Sequence, residues 1–325
     1  MKYCALRMDG GGFVSPFSAD GLEPEPGERL ILLVHGYNND QVEAAESYFT
    51  MRKNLDNVVL SCGVDEALRK QLQSRIWELY WPGYMALSWR GPRGGRRHKW
   101  EPLASAASYS NEVRKARTWV ADGLASFLRR IRPSEVFFIA HSLGCRVVLE
   151  TLQRLVSGLL SPIHFGGFLL MAGAVPVHML GISGSLGPST AQPGRRYSLH
   201  SWRDAVLMLA FPGGQILSGE VAAYGVPVAT GLTGSPSALW SSHANTGLGH
   251  GGYWRQGIFR DGSVLSQLCA GIFGIAVQKD LTVSELLTIP TELNYSILPE
   301  RQLASGRLPG SDWLRDRYAP AATSD

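Results

Sequence analysis

The chain has 325 residues, 45% of them hydrophobic and 18% charged, and its 31 Lys and Arg against 27 Asp and Glu give a formal charge of +4. That much apolar material excludes a disordered chain and fills one large α/β core or two smaller ones, while so mild a positive balance gives no argument for a nucleic-acid or membrane-surface protein. Four cysteines (Cys4, Cys62, Cys145 and Cys269) are too sparse for a disulfide framework and none has metal-ligand spacing, so a reducing compartment is expected, with no metal and no cofactor.

The amino terminus, MKYCALRMDGGGF, has no apolar core of signal-peptide length, and a soluble, cytoplasmic protein is expected. Leu30–Val34 (LILLV) is a continuous apolar run, the pattern of a strand buried on both faces. His35–Asn39 (HGYNN) follows it. Gln41–Leu55 comes after an Asn-Asn-Asp stretch able to cap a helix. Tyr84–Trp89 is a second strand candidate. Arg90–Lys99 (RGPRGGRRHK) is a local basic run; such runs are more often solvated loops than anion sites, and binding of an anion there stays open. Leu103–Ile131 reads as a long helix stopped by Pro133. Val136–Ala140 (VFFIA) has the β-branched and aromatic content of a central strand. Ala140–Gly144 (AHSLG) runs from it into Leu143–Val156, a helix pattern with one apolar stripe at Val148, Leu152 and Leu155. Phe165–Met171, Tyr197–Trp202 and Leu239–His243 are weaker strand candidates. Between the first two, Val177–Arg196 is rich in Gly, Ser and Pro, the composition of a mobile cover. Leu265–Val277 is apolar over about 13 residues, short of the about 20 that a membrane-spanning helix needs. Strands alternating with helices predict βαβ units and a mostly parallel sheet, with chemistry gathered beyond the carboxyl ends of the strands.

AHSLG, between the strongest strand and a good helix, has the context of a nucleophile elbow. A serine on so tight a turn is held in a strained backbone with its hydroxyl pushed outward. The residues two before and two after must be small, and here they are Ala140 and Gly144. A second pentapeptide, Ser183–Gly187 (SGSLG), has no strand before it and reads as loop. Acyl hydrolysis passes through an oxyanion that needs two fixed N–H donors. Leu143, first in the helix after Ser142, is expected to supply one, and Tyr37, behind the permissive Gly36, the other.

On these residues, HGYNN after one strand and AHSLG after a later one, the chain from about Arg29 to Trp254 resembles the α/β-hydrolase superfamily, and within it the lipase- and carboxylesterase-like serine hydrolases. The resemblance implies a chain order of Ser, then acid, then His, each on a loop after a strand. Asp204 stands where the acid is expected, with Glu220 as runner-up. His250, in the Gly-rich stretch TGLGHGGY, suits a loop that must reach the nucleophile; His243 falls within the last strand pattern. His141 is expected to point away from the exposed side of the elbow, and His98 lies in the basic loop.

The fold expected is thus α/β, an α/β-hydrolase-like mostly parallel sheet flanked by helices with a C-terminal extension: a core over 1–255, a helix and wrapping arm over 256–320, and a frayed tail over 321–325. The function expected is hydrolysis of carboxylic esters by Ser142, Asp204 and His250, with Tyr37 and Leu143 as the oxyanion hole. The same machinery serves thioester or amide hydrolysis and acyl transfer, and a non-catalytic binding protein on this fold is the alternative from another class. The partner expected is a small, uncharged ester with an apolar acyl group, and no nucleic acid. Trp81, Trp89, Trp202, Trp240 and Trp254 fall near strand ends or the His250 loop, where they pack the core or line an acyl pocket. Oligomeric state stays open.

Overall fold

The computed structural model describes residues 3–8, 13–16, 25–37, 44–52, 55, 75–81, 109–156, 163–191, 194–220, 225–235 and 242–256. Eight strands among these form one sheet: β1 (Tyr3–Met8), β2 (Val14–Pro16), β3 (Arg29–Val34), β4 (Arg75–Tyr80), β5 (Glu135–His141), β6 (His164–Met171), β7 (Arg195–His200) and β8 (Ser242–Asn245). Their spatial order is β2-β1-β4-β3-β5-β6-β7-β8. The outer pair β1–β2 is antiparallel and every other neighbouring pair is parallel. With helices on its faces, this is an α/β-hydrolase-like sheet.

The central strands explain their own sequences. Leu30–Val34 and Val136–Ala140 are buried residue by residue, so neither shows the alternation of a half-exposed strand. They pair in parallel from Leu30 opposite Val136 to Val34 opposite Ala140. That register brings His35–Tyr37 and AHSLG out of the sheet side by side and at one level.

Four longer helices are described. Helix α1 covers residues 44–52 and α2 residues 109–131; α3 is Leu143–Val156 and α4 is Ala205–Leu217. Within α2, Ala116–Val120 is π-helical. The helix ends as Pro133 predicts: Arg132 turns left-handed at φ 46° and donates its N–H to the Leu128 carbonyl at 2.9 Å.

Helix α3 departs from its expected single stripe, for Leu143 to Leu152 is buried without interruption. The cause is cover from two sides. Helix α2 packs on one, and the turns Val177–Leu180 and Gly187–Thr190 pack nearby, the latter with a hydrogen bond from Ser189 Oγ to Gln153 at 2.9 Å. The first fifteen residues of the Gly/Ser/Pro-rich segment, 177–191, bury Leu180, Leu186, Ser189 and Thr190. The burial of α3 includes Arg146, which reaches Glu220 with both terminal nitrogens, at 3.0 and 3.1 Å, and Glu150 through Nε at 2.8 Å. Arg117, from the π-helical turn, adds a contact to Glu220 at 2.7 Å, and Arg154 one to Glu150 at 3.0 Å.

Three strands escape the sequence pattern. β1 and β2 form the sheet edge, and β4 lies between β1 and β3 with Glu78 buried inside its run, ion-paired to Arg52 at 3.0 Å and hydrogen-bonded by Tyr80 at 2.8 Å. A buried carboxylate interrupts the apolar run by which a covered strand is recognised. Helix α4 was not expected either, because Pro212-Gly213-Gly214 reads as a break, yet the helix runs through it. The last strand is shifted toward the C-terminus of Leu239–His243. Tyr84–Trp89, Arg90–Lys99 and the chain after Gln256 lie outside the described residues. Among the described residues no helix is long and apolar enough to cross a membrane.

Candidate active site

The turn between β5 and α3 holds Ser142 at φ 52°, a left-handed conformation that a residue bearing a Cβ adopts only when its surroundings over-determine it. They do so here. Its N–H donates to the Met171 carbonyl at 2.9 Å, and its own carbonyl accepts from Cys145 and Ala174, each at 3.1 Å. Gly144 lies so close to β3 that a Cβ there would stand 2.4 Å from the His35 carbonyl oxygen. Gly36 comes equally near from the other side, where a Cβ would stand 2.6 Å from that of Ser142. The small residues of AHSLG and HGYNN are what let the two strand ends meet.

Asp204 closes the loop after β7 and caps α4. One carboxylate oxygen, Oδ1, accepts the Leu207 N–H at 3.0 Å; the other, Oδ2, lies 2.8 Å from His250 Nδ1. The group is fully buried. Asp204 thus caps the helix and holds the histidine at once. His250 begins a single 3₁₀ turn, His250–Gly252, and its Nε2 lies 3.0 Å from Ser142 Oγ. With Nδ1–H donating to the carboxylate, Nε2 is left to accept the serine proton. The loop that delivers it is anchored at Thr246, whose N–H donates to the His200 carbonyl at 2.7 Å and whose hydroxyl accepts from the Leu248 N–H at 3.2 Å.

Two further histidines surround this chain of three. His35 donates from Nδ1 to the Gly36 carbonyl at 2.9 Å and accepts the Trp81 N–H on Nε2 at 3.2 Å, with the Trp81 indole stacked on it at 5.4 Å. Burial pushes it down to about 4. It ties the ends of β3 and β4 together and stays neutral. His141 does turn away from the open side of the elbow, as the sequence suggested. It then meets His250 from within, Nε2 lying 2.8 Å from the His250 carbonyl oxygen, and burial pushes it down to about 3, helped by the neighbouring His250. Nothing in the sequence pattern shows what that ring meets, and its contact with His250 was missed.

Of the remaining candidates, Glu220 is held by Arg146 and Arg117 and not by His250. His243 lies on β8 at the position paired with Ser198. Ser185 is exposed on the turn before Gly187. Leu143 opens α3, where a first-turn N–H has no partner within the helix. Tyr37 follows Gly36, with its ring edge-on to Tyr109 at 5.5 Å. Trp81 and Trp254 are buried under the site, and Trp202 is at the surface with the Arg203 guanidinium over its ring at 4.9 Å. His98, Trp89 and Trp240 lie outside the described residues. Among the described residues no three His, Cys, Asp or Glu side chains are grouped to hold a metal ion. A hydroxyl whose proton can pass to a neutral imidazole, itself held by a buried carboxylate, is an arrangement able to make a nucleophile.

No family model matches the chain, and no curated protein matches it. Several solved structures are similar to parts of it, two of them as follows. A protein provisionally named a hydrolase, from Agrobacterium vitis S4, is 14% identical with a TM-score of 0.31, over 63% of this chain and 80% of its own. A protein provisionally named a cell-surface hydrolase, from Lactobacillus plantarum WCFS1, is 12% identical with a TM-score of 0.27, over 59% of this chain and 77% of its own. Likeness at this level says nothing of activity.

Proposed function

We propose that the protein is a serine hydrolase that cleaves carboxylic esters through an acyl-enzyme. Ser142 attacks the ester carbonyl while His250 takes its proton. The tetrahedral oxyanion is held by the N–H groups of Tyr37 and Leu143, at the amino end of α3 where the helix dipole favours negative charge. His250 returns the proton to the departing alcohol, then activates water to release the acid. Asp204 keeps His250 in the tautomer with its proton on Nδ1 and stabilises the imidazolium between steps. The observation that carries this reading is the unbroken contact from Ser142 Oγ through His250 to Asp204, at 3.0 and 2.8 Å, on a serine held at φ 52°.

The acyl group is read as uncharged and apolar. Helix α4, which starts one residue after Asp204, carries no charged side chain and leaves Val206, Met208, Leu209 and Leu217 exposed, Leu209 by 76%. A fluorophosphonate probe should label Ser142, located by peptide mapping, and Ser142→Ala should abolish labelling and lower turnover of a p-nitrophenyl ester by roughly 10⁴–10⁶-fold. Labelling at Ser185, or a variant as active as the parent, sinks the assignment. A matched ester, thioester and amide series separates ester cleavage from the other reactions this machinery serves.

A further inference from the structure

We propose that His141 is a positioning residue for that reaction: its Nε2–H, donated to the main-chain carbonyl of His250, holds the Gly-rich loop so that His250 stays within reach of Ser142. The inference rests on the ester-cleaving reading above, and the contact itself on geometry. His141 Nε2 and the His250 oxygen are 2.8 Å apart, and the two rings lie 4.9 Å centre to centre at 53°. The loop needs such a hold. His250 is flanked by Gly249, Gly251 and Gly252, which restrict the backbone least of all residues, and the turn it opens is closed by one described backbone bond, Gly252 N–H to the Gly249 carbonyl at 3.0 Å.

The neighbours of His141 fix its ring. Tyr253 and Trp254 lie 6.0 and 5.8 Å from it, centre to centre. Its Nδ1 is buried, has no hydrogen-bond partner among the described residues, and faces Gly36, where a Cβ would stand 3.3 Å away. A lone pair is tolerated there better than an unpaired N–H, so the proton belongs on Nε2, where it has an acceptor. A ring this deeply buried stays neutral while His250 cycles through its charged form, so it places no second positive charge beside the imidazolium. One side chain thereby touches both the loop that carries the base and the Gly36–Tyr37 turn that faces the oxyanion.

His141→Leu removes the donor and keeps apolar bulk, while His141→Gln keeps an N–H able to reach the same oxygen. The leucine variant should lose roughly 10²-fold in kcat with KM within about twofold, as expected for a misplaced but intact base. The glutamine variant should recover most of that loss. Equal losses in the two would assign the effect to packing and overturn the proposal, as would an unchanged leucine variant. The parent protein supplies a test independent of any variant's folding: nitrogen-15 NMR of the histidine side chains should find the His141 proton on Nε2, and a proton on Nδ1 overturns the proposal. Failure of Ser142 to react with the fluorophosphonate sinks the esterase reading alone and leaves the NMR result standing.

Discussion

A single carboxylate at Asp204 serves two partners, and the two can be separated. Asp204→Asn keeps an oxygen for the Leu207 N–H but turns an amide N–H toward His250 Nδ1, where two donors cannot bond. It should cost up to about 10⁴-fold in kcat while the melting temperature stays close to the parent's. Asp204→Ala should lose the activity and, in addition, about 1 kcal/mol of stability with the helix cap. Equal melting behaviour in the two would mean that the cap contributes nothing. At this scale the sequence was informative wherever a residue's place relative to a strand end was enough. Ser142, Asp204 and His250 each lie just beyond a strand, so chain order and loop position singled them out. His141 could not be read the same way: its neighbour in sequence faces outward, and only the packed position of the 246–252 loop reveals what an inward ring touches.

Among the elements, α3 is where a surface helix was expected and a buried one is found. Its Arg146 is 2% exposed, and the charge is tolerable because Glu220 and Glu150 take its guanidinium from two sides. Glu220→Gln removes one of those charges, leaving the buried cation matched by Glu150 and a neutral amide. It should destabilise the protein by on the order of 3 kcal/mol in chemical denaturation, while the folded fraction keeps its kcat. A large loss of turnover at full stability would make Glu220, and not Asp204, the acid that His250 depends on. The same element shows why periodicity alone falls short. An apolar stripe tells that one face is covered; a face covered by an ion network looks in the sequence like a face open to water. β4, with Glu78 buried in its run, was hidden for the same reason, and α4 because Pro212 and two glycines resemble a stop.

Taken as a whole, the molecule should be sensitive to acid through two histidines that it keeps neutral. His35 and His141 fall from the ordinary 6.5 to about 4 and about 3. In the unfolded chain both bind protons as the pH falls below about 6.5; in the folded protein they do not until it nears the lowered values. Stability from these groups is therefore complete above about 6.5 and is lost as the pH falls from there toward 4. At about 1.4 kcal/mol per pH unit, His35 alone accounts for on the order of 3 kcal/mol. Denaturation free energies across pH 8 to 4 should show the decline, and His35→Gln should flatten it while lowering stability at pH 8. A slope unchanged by the substitution overturns the attribution. The sheet itself was legible at this scale, because covered parallel strands are continuous apolar runs; its antiparallel edge was not, because β1 carries Arg7 within its run and β2 is only three residues long.

The order in which the sheet takes up its strands also bears on how the protein is made. His250 stands 46 residues after Asp204 and 108 after Ser142, on the loop that follows the last described strand, β8. A chain growing from its amino terminus can thus form the elbow, both glycine contacts and the helix cap while the imidazole has not yet been synthesised. Ser142 remains an ordinary alcohol throughout that interval. On the proposed reading, the reactive centre comes into being only once the chain has grown past His250, so no shorter nascent chain carries it.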